Sequence, residues 1–418
     1  MSDTAFAEQQ IDPSDLATYD HLVPHEELRR RVAALQARLA AADIDLAVVN
    51  APSDRYWLTG SVLDGWMLVP ASGTPVIVAR RAVGRIAAET CWEVERGVSN
   101  KHLVAAIDRF GASHGRIAVA LDVIPAADYL KLAGALDGAT IVDLTHHIRA
   151  SRAVKSAWEL ERCHIAAHQV RDAMQTVLHQ VVPGHTELDA QRLAEGCLRG
   201  SGHQGVMRMR RFGGEMFFGQ VCAGANAALP AALDAPLGGS GLYPSVGKGA
   251  SLRELRSGDL LVLDLMGAYE GYLSDCTRVI AVGGLDDVPA DLLEAQAWCV
   301  DVLESVAAMA KPGVAPSALY AHALERAQDA GYADRFMGVA PDQARFVGHG
   351  IGLEVDEYPF LARGFDDPLE PGMIFALEPK LVFPARAAVG IEDSFVVTES
   401  GVEPLPALGR DVLVGQRP

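Results

Sequence analysis

Two carboxylates set inside an apolar hairpin constrain this 418-residue chain more than any other feature. The segment Leu260-Leu-Val-Leu-Asp-Leu-Met-Gly-Ala-Tyr-Glu-Gly-Tyr-Leu-Ser-Asp-Cys-Thr-Arg-Val279 reads as two buried strands joined by a tight turn. With Tyr269 and Glu270 as a two-residue turn, Ala268 faces Gly271 and Asp264 faces Asp275. Opposed side chains share one face of a sheet with their Cβ atoms about 5 Å apart, and like charges so placed destabilise the pair. The apolar flanks keep water away, so a bound cation is the physical remedy.

A second hairpin repeats the device. Met373-Ile-Phe-Ala-Leu-Glu-Pro-Lys-Leu-Val-Phe383 is followed by Val389-Gly-Ile-Glu-Asp-Ser-Phe-Val-Val397, and a loop centred near Ala385 puts Glu378 opposite Glu392 to within about one residue. Between the hairpins lies Gly348-His-Gly-Ile-Gly-Leu-Glu354, whose glycines let backbone approach closely around the imidazole of His349. Four carboxylates and one imidazole form an oxygen-rich set suited to Mn²⁺, Fe²⁺, Co²⁺ or Zn²⁺, and too acidic for a single divalent ion. Two ions about 3.5 to 4 Å apart, sharing carboxylates and holding a water or hydroxide between them, would balance the charge and make a hydrolytic centre.

The rest of the composition narrows the class. Half the residues are apolar and 22% are charged, which is the balance of a folded globular protein, and the length suits two or three domains. With 36 basic against 54 acidic residues and a net charge of -18, attraction to nucleic acid or to an anionic membrane is not expected. The cysteines Cys91, Cys163, Cys197, Cys222, Cys276 and Cys299 form no C-x-x-C pair and read as free thiols of a reducing compartment. Met1 to Leu22 lacks the basic and apolar blocks of a signal peptide, and no long uncharged apolar window follows, so a cytoplasmic protein is expected.

Periodicity divides the chain. Residues 1–25 read as an N-terminal arm. Over residues 26–152 an amphipathic helix, Glu27 to Ala42, precedes short apolar runs at Leu46 to Val49, Trp66 to Val69, Pro75 to Ala79, Ile117 to Leu121 and Thr140 to Leu144, the alternation of an α/β domain. Ser156 to Val182 reads as one long helix connecting the two domains. Residues 153–418 then combine helices at Leu188 to Arg199, Ala290 to Met309 and Pro316 to Ala330 with hairpin-linked strands at 260–282, 372–383 and 389–398, the pattern of an α+β domain with an antiparallel sheet.

The order Asp264, Asp275, His349 within G-H-G-I-G, Glu378 within A-L-E-P and Glu392 within G-I-E-D resembles the pita-bread metallopeptidases: Xaa-Pro aminopeptidases, prolidases and methionine aminopeptidases, with creatinase as a metal-free relative. The resemblance spans about residues 155 to 405, and the N-terminal domain is similar to the creatinase-type domain that precedes it. It implies an α/β creatinase-like domain ahead of an α+β pita-bread catalytic domain. Carried over residue by residue, it implies that Asp264 binds one metal, that Asp275 and Glu392 bridge two, and that His349 and Glu378 complete the second. It further implies two divalent ions, Mn²⁺ first, and a homodimer. The implied reaction is attack of a metal-bridging hydroxide on the C–N bond of a small amino-acid-like molecule or short peptide of the Xaa-Pro class, with Glu378 shuttling the proton.

Two departures open other readings. Where the proline-specific members carry a histidine after a phrase like Asn226-Ala-Ala-Leu-Pro230, this chain continues Ala231-Ala-Leu-Asp234, and in Glu354-Val-Asp-Glu-Tyr-Pro359 the second expected histidine is Asp356. An ionised aspartate only accepts hydrogen bonds, so Asp356 is a candidate base and substrate partner in a non-peptide hydrolase or lyase. A metal-free binding module is the third reading, and the intact ligand set weighs against it. Arg210 and Arg211, in a cluster with Arg208, are either a solvated face or a clamp for a substrate carboxylate. The Gly238 to Gly249 stretch matches neither a P-loop nor a nucleophile elbow and is expected to be a flexible loop covering the substrate. His164 and His168, one helical turn apart, lack the glutamate of a zinc motif and are read as surface or packing residues.

Overall fold

The computed structural model describes residues 21–136 and 138–416, in two compact units divided between Ser151 and Arg152. Most of the expected arm, residues 1–20, lies outside the described residues.

The first unit is built on one six-stranded sheet. Its strands are β1 (Leu46–Val49), β2 (Gly65–Pro70), β3 (Val76–Ala79), β4 (Glu93–Arg96), β5 (Arg116–Val119) and β6 (Thr140–Asp143), in the order β4-β3-β2-β1-β5-β6. β1, β2 and β3 pair antiparallel, while β4, β5 and β6 join parallel. The parallel neighbours β3 and β4 are connected through the helix Val83–Glu89, and β5 and β6 through Ala126–Ala135, as parallel pairs require. Leu46, Val48, Leu68, Val78, Ile117 and Val119 fill the core against Leu103, Ile107 and Leu132. The helix His25–Ala41 buries Leu28, Val32, Leu35 and Leu39 from one stripe. Arg31 is buried on the same helix because its guanidinium is satisfied, donating to Glu27 Oε1 at 2.8 Å and to the Trp57 carbonyl at 2.9 Å. β4 escapes the apolar pattern: Glu93-Val-Glu-Arg96 is a sheet edge, where charges are tolerated and guard against further pairing.

The second unit carries the expected α+β arrangement. One sheet, in the order β17-β9-β8-β7, comprises β7 (Gly219–Ala223), β8 (Leu260–Tyr269), β9 (Tyr272–Ala281) and, returning from the C-terminal end, β17 (Leu413–Val414). A second, in the order β11-β10-β12-β15-β16, comprises β10 (Phe346–Gly350), β11 (Glu357–Ala362), β12 (Ile374–Leu377), β15 (Asp393–Val397) and β16 (Val402–Pro404). β13 (Lys380–Phe383) and β14 (Ala387–Gly390) pair with each other. The helices Ala290–Met309 and Pro316–Asp329 lie within a residue of their expected bounds. No helix among the described residues is long and apolar enough to cross a membrane.

The long helix is Ala157–Gln180, opened by a reciprocal capping box between Ser156 and Glu159. It is not a connector between units. It belongs wholly to the second, where Val170, Met174 and Val177 pack with Leu261, Leu263 and Leu265 of β8. The contact is close because Gly267 has no side chain: a Cβ there would stand 2.0 Å from the Ala166 carbonyl oxygen. Gly267→Ala must therefore push helix and hairpin apart, with an expected loss of about 3 kcal/mol. Chemical denaturation checks this, and an unchanged unfolding midpoint would contradict it.

Candidate metal centre

Asp264 lies on β8 and Asp275 on β9, with Asp264 opposite Thr277 and Asp275 opposite Met266. The expected register, Asp264 against Asp275, is thus two residues out. The turn is Glu270-Gly271, with φ of 47° and 90°, and a two-residue turn that needs positive φ at both centres draws in the glycine. Because the shift is even, it leaves every side chain on its expected face. The two aspartates are diagonal neighbours on one face, close enough to share a ligand.

The second hairpin has the expected register throughout. Leu377 opposes Asp393 and Lys380 opposes Gly390, so Glu378 and Glu392 fall opposite each other, and the loop turns at Ala385 with φ of 55°. The strand pair is interrupted at Pro379, which has no N–H to give a ladder. Glu392 meanwhile exchanges backbone hydrogen bonds of 3.2 Å with Thr277, stitching this hairpin to β9. His349 on β10 lies between Ala376 of β12 and Phe360 of β11. These pairings gather all five residues around one cavity of about 600 Å³.

Asp275, His349 and Glu392 each offer a ligand atom within 4.8 Å of the others. Asp275 Oδ1 and Glu392 Oε1 are buried with no hydrogen-bond partner. His349 Nδ1 lies 3.2 Å from the Gly350 carbonyl, which can only accept, so Nδ1 is the nitrogen that donates and Nε2 the one turned to a ligand. Nε2 in turn stands 3.6 Å from Glu378 Oε1. Burial, the neighbouring carboxylates adding to it, pushes the carboxyls of Asp275 and Glu392 above their usual range, and Lys380 offsets only part of this. Orphaned oxygens and a lone pair converging in a buried acidic site fit a divalent cation.

Lys380 is the residue the sequence reading missed. Its side chain is 1% exposed, and its Nζ donates to Glu378 Oε2 at 2.6 Å, Asp264 Oδ2 at 3.1 Å and Glu392 Oε2 at 3.3 Å. The signal was present in Glu378-Pro-Lys-Leu-Val-Phe383, because a lysine inside an apolar strand is buried only when paired.

The other expected site residues separate. Asp356 lines the cavity, but its oxygens accept the backbone N–H groups of Arg210 at 2.7 Å and Arg211 at 3.0 Å. It anchors the loop that carries the arginines. Arg211 lines the cavity, whereas Arg210 is buried 3.8 Å from Glu354. Lys248, Arg345 and Arg363 also line the cavity, and none of them stood out in the sequence. The Gly238 to Gly249 stretch is pinned rather than loose at its base, with Gly249 N donating to the Gly238 carbonyl at 2.7 Å and Ser240 N to Asn226 Oδ1 at 2.8 Å. His164 and His168 are exposed.

Residues 161–399 match metallopeptidase family M24, and residues 31–154 match the creatinase/prolidase N-terminal domain. The chain belongs to metallopeptidase family M24. As an M24 protein it is a metal-dependent hydrolase, and the family uses divalent metals. It is 30% identical over 391 residues to the probable dipeptidase PepE of Mycobacterium tuberculosis, covering 90% of this chain and 93% of that protein. Similarity to the Xaa-Pro dipeptidase of Lactobacillus delbrueckii subsp. lactis is 31% over 65% of each chain. Among solved structures, dipeptidase PepE from Mycobacterium ulcerans matches with a TM-score of 0.79 and 29% identity, over 94% of this chain and 99% of that one. The X-Pro aminopeptidase of Thermotoga maritima shares the fold, with a TM-score of 0.76 over 92% of this chain and 99% of that one, at 23% identity.

In this M24 chain the loop after His349 is held by a buried ion cluster. Glu357 pairs with Arg152 at 2.5 Å and Lys155 at 3.0 Å, and accepts the N–H groups of Leu353 at 2.7 Å and Glu354 at 3.1 Å. Burial would raise its carboxyl, but the two cations outweigh that and lower it from 4.5 to about 2. Its contribution to stability is therefore complete above pH 4.5 and is lost as pH falls through about 2. Glu357→Gln should flatten that acid limb of the stability profile. At neutral pH it should cost about 3 to 5 kcal/mol, because buried Lys155 loses its ion pair and Arg152 is left with Glu354 at 2.9 Å.

Proposed function

We propose that this protein cleaves Xaa-Pro dipeptides, with a divalent ion held by Asp275, His349, Glu378 and Glu392. The observation that carries the reading is the convergence of Asp275 Oδ1 and Glu392 Oε1, both without hydrogen-bond partners, with His349 in the lining of one cavity. Mn²⁺ is the first choice for so oxygen-rich a donor set, ahead of Co²⁺, Fe²⁺ and Zn²⁺. When bound, such an ion supplies Lewis acidity toward a carbonyl oxygen and lowers the pKa of water.

The chain's own residues supply the rest. Lys380 holds Glu378 through Oε2, which leaves Oε1 at the cavity as the donor that would face the ion. Met209, Met266, Phe346 and Phe360 give the cavity an apolar wall that suits a proline ring. Arg211, Lys248, Arg345 and Arg363 line it with positive charge, which suits a free carboxylate one residue from the scissile bond and so favours dipeptides over longer chains. A cytoplasmic setting accords with six free cysteines.

Chelation should abolish hydrolysis, and Asp275→Ala should remove the bound metal, as read by elemental analysis. The reconstituted enzyme should prefer Xaa-Pro dipeptides to their amidated and elongated forms, and equal rates on all three would refute the carboxylate assignment. Asp356→Ala should free the Arg211 loop and raise KM on the order of tenfold with little change in kcat, since it removes hydrogen bonds to a charged group worth about 1.5 to 3 kcal/mol.

A further inference from the structure

Lys380 divides the five expected ligands into two groups. The lysine opens β13 directly after Pro379, and its stem lies in a slot that exists because residue 390 is glycine: a Cβ there would meet Lys380 Cγ at 2.4 Å. Gln296 fixes that slot by donating to the Gly390 carbonyl at 3.0 Å and accepting its N–H at 2.8 Å. An ammonium has three hydrogens, and here each meets a carboxylate: Glu378 Oε2, Asp264 Oδ2 and Glu392 Oε2. Thr277 Oγ1 donates to the same Glu392 oxygen at 2.8 Å, so Oε2 is saturated. What is left is a separate set of donors on the other side: Asp275 Oδ1, Glu392 Oε1, His349 Nε2 and Glu378 Oε1.

From this division we infer that the Lys380 ammonium stands in for one of the two expected ions, so that the centre takes a single divalent ion. The inference rests on the metal-hydrolase reading of the same site. One divalent ion and one ammonium compensate three of the four carboxylate charges. A second ion entering through Asp264 and Glu392 Oε2 would displace the ammonium from two of its three acceptors and set two cations side by side, with the buried lysine charge left to Glu378 Oε2 alone, which is unfavourable. The ammonium is tethered by its own backbone, with Met337 N donating to the Lys380 carbonyl at 2.9 Å, so this cation cannot dissociate as an ion can. It positions Glu378 and Glu392 toward the remaining ion.

The test is a metal count. Stripped wild-type enzyme reconstituted with excess Mn²⁺ and desalted should hold one ion per chain by elemental analysis and native mass spectrometry. Its electron paramagnetic resonance spectrum should be that of an isolated Mn²⁺. Lys380→Ala, which removes both the charge and the obstruction, should raise the count from one to two and introduce the signature of a coupled pair. Two ions in the wild-type enzyme would overturn the inference while leaving the hydrolase reading intact, and no ion at all would overturn both. A folded Lys380→Ala protein that still holds one ion would also overturn it. The wild-type count is decisive even if the variant does not fold.

Discussion

Four carboxylates gathered on neighbouring strands, out of reach of water, set the terms for the rest of the second unit. Asp275, Glu378 and Glu392 are each buried, and Asp264 is half-buried beside them. Left uncompensated, such a cluster would protonate or force the sheet open. Compensation comes from Lys380 within the hairpin, from Thr277 on β9, and from a site for a divalent ion where the remaining acceptors meet. The backbone exchange between Thr277 and Glu392 places the two hairpins so that these charges face one another.

Around this centre the unit uses charge a second time, with different bookkeeping. Glu354 and Glu357 with Arg152 and Lys155 form a buried cluster that is balanced by protein groups alone, and it fixes the turn between His349 and β11. Asp356, next in sequence, turns its carboxylate to the backbone of Arg210 and Arg211. Adjacent acids in Glu354-Val-Asp-Glu357 thus have separate tasks, one group holding the imidazole loop and the other holding a cavity wall. That separation explains how the cavity keeps its shape with an aspartate where related enzymes are expected to carry a histidine.

Much of this was legible in the chain. The periodicity located the longest helices to within a residue or two, because a buried stripe repeats along a helix whatever its partners are, while shorter ones such as Pro52–Thr59 and Asn100–Arg109 were not read. The faces of Asp264 and Asp275 were readable even though their register was not, since a two-residue error in a strand pair preserves every facing. Glu378 and Glu392 were placed opposite each other because their loop is short and turns at Ala385. β4 was missed, because an exposed edge strand carries no apolar alternation to detect.

What the sequence determined by itself was which residues could not be left alone: acids in apolar strands need a cation, and glycines around an imidazole permit crowding. It could not say which cation meets which acid. Lys380 stands two residues from Glu378 along the chain but also reaches Asp264, which is 116 positions away, and no local pattern encodes that distance. Likewise the arginines at 210 and 211 looked equivalent, and only the fold turned one toward Glu354 and the other to the cavity. Local preferences act over a few residues, whereas compensation of buried charge is settled among whatever groups the packing brings within about 4 Å. That pairing was decided by the tertiary structure.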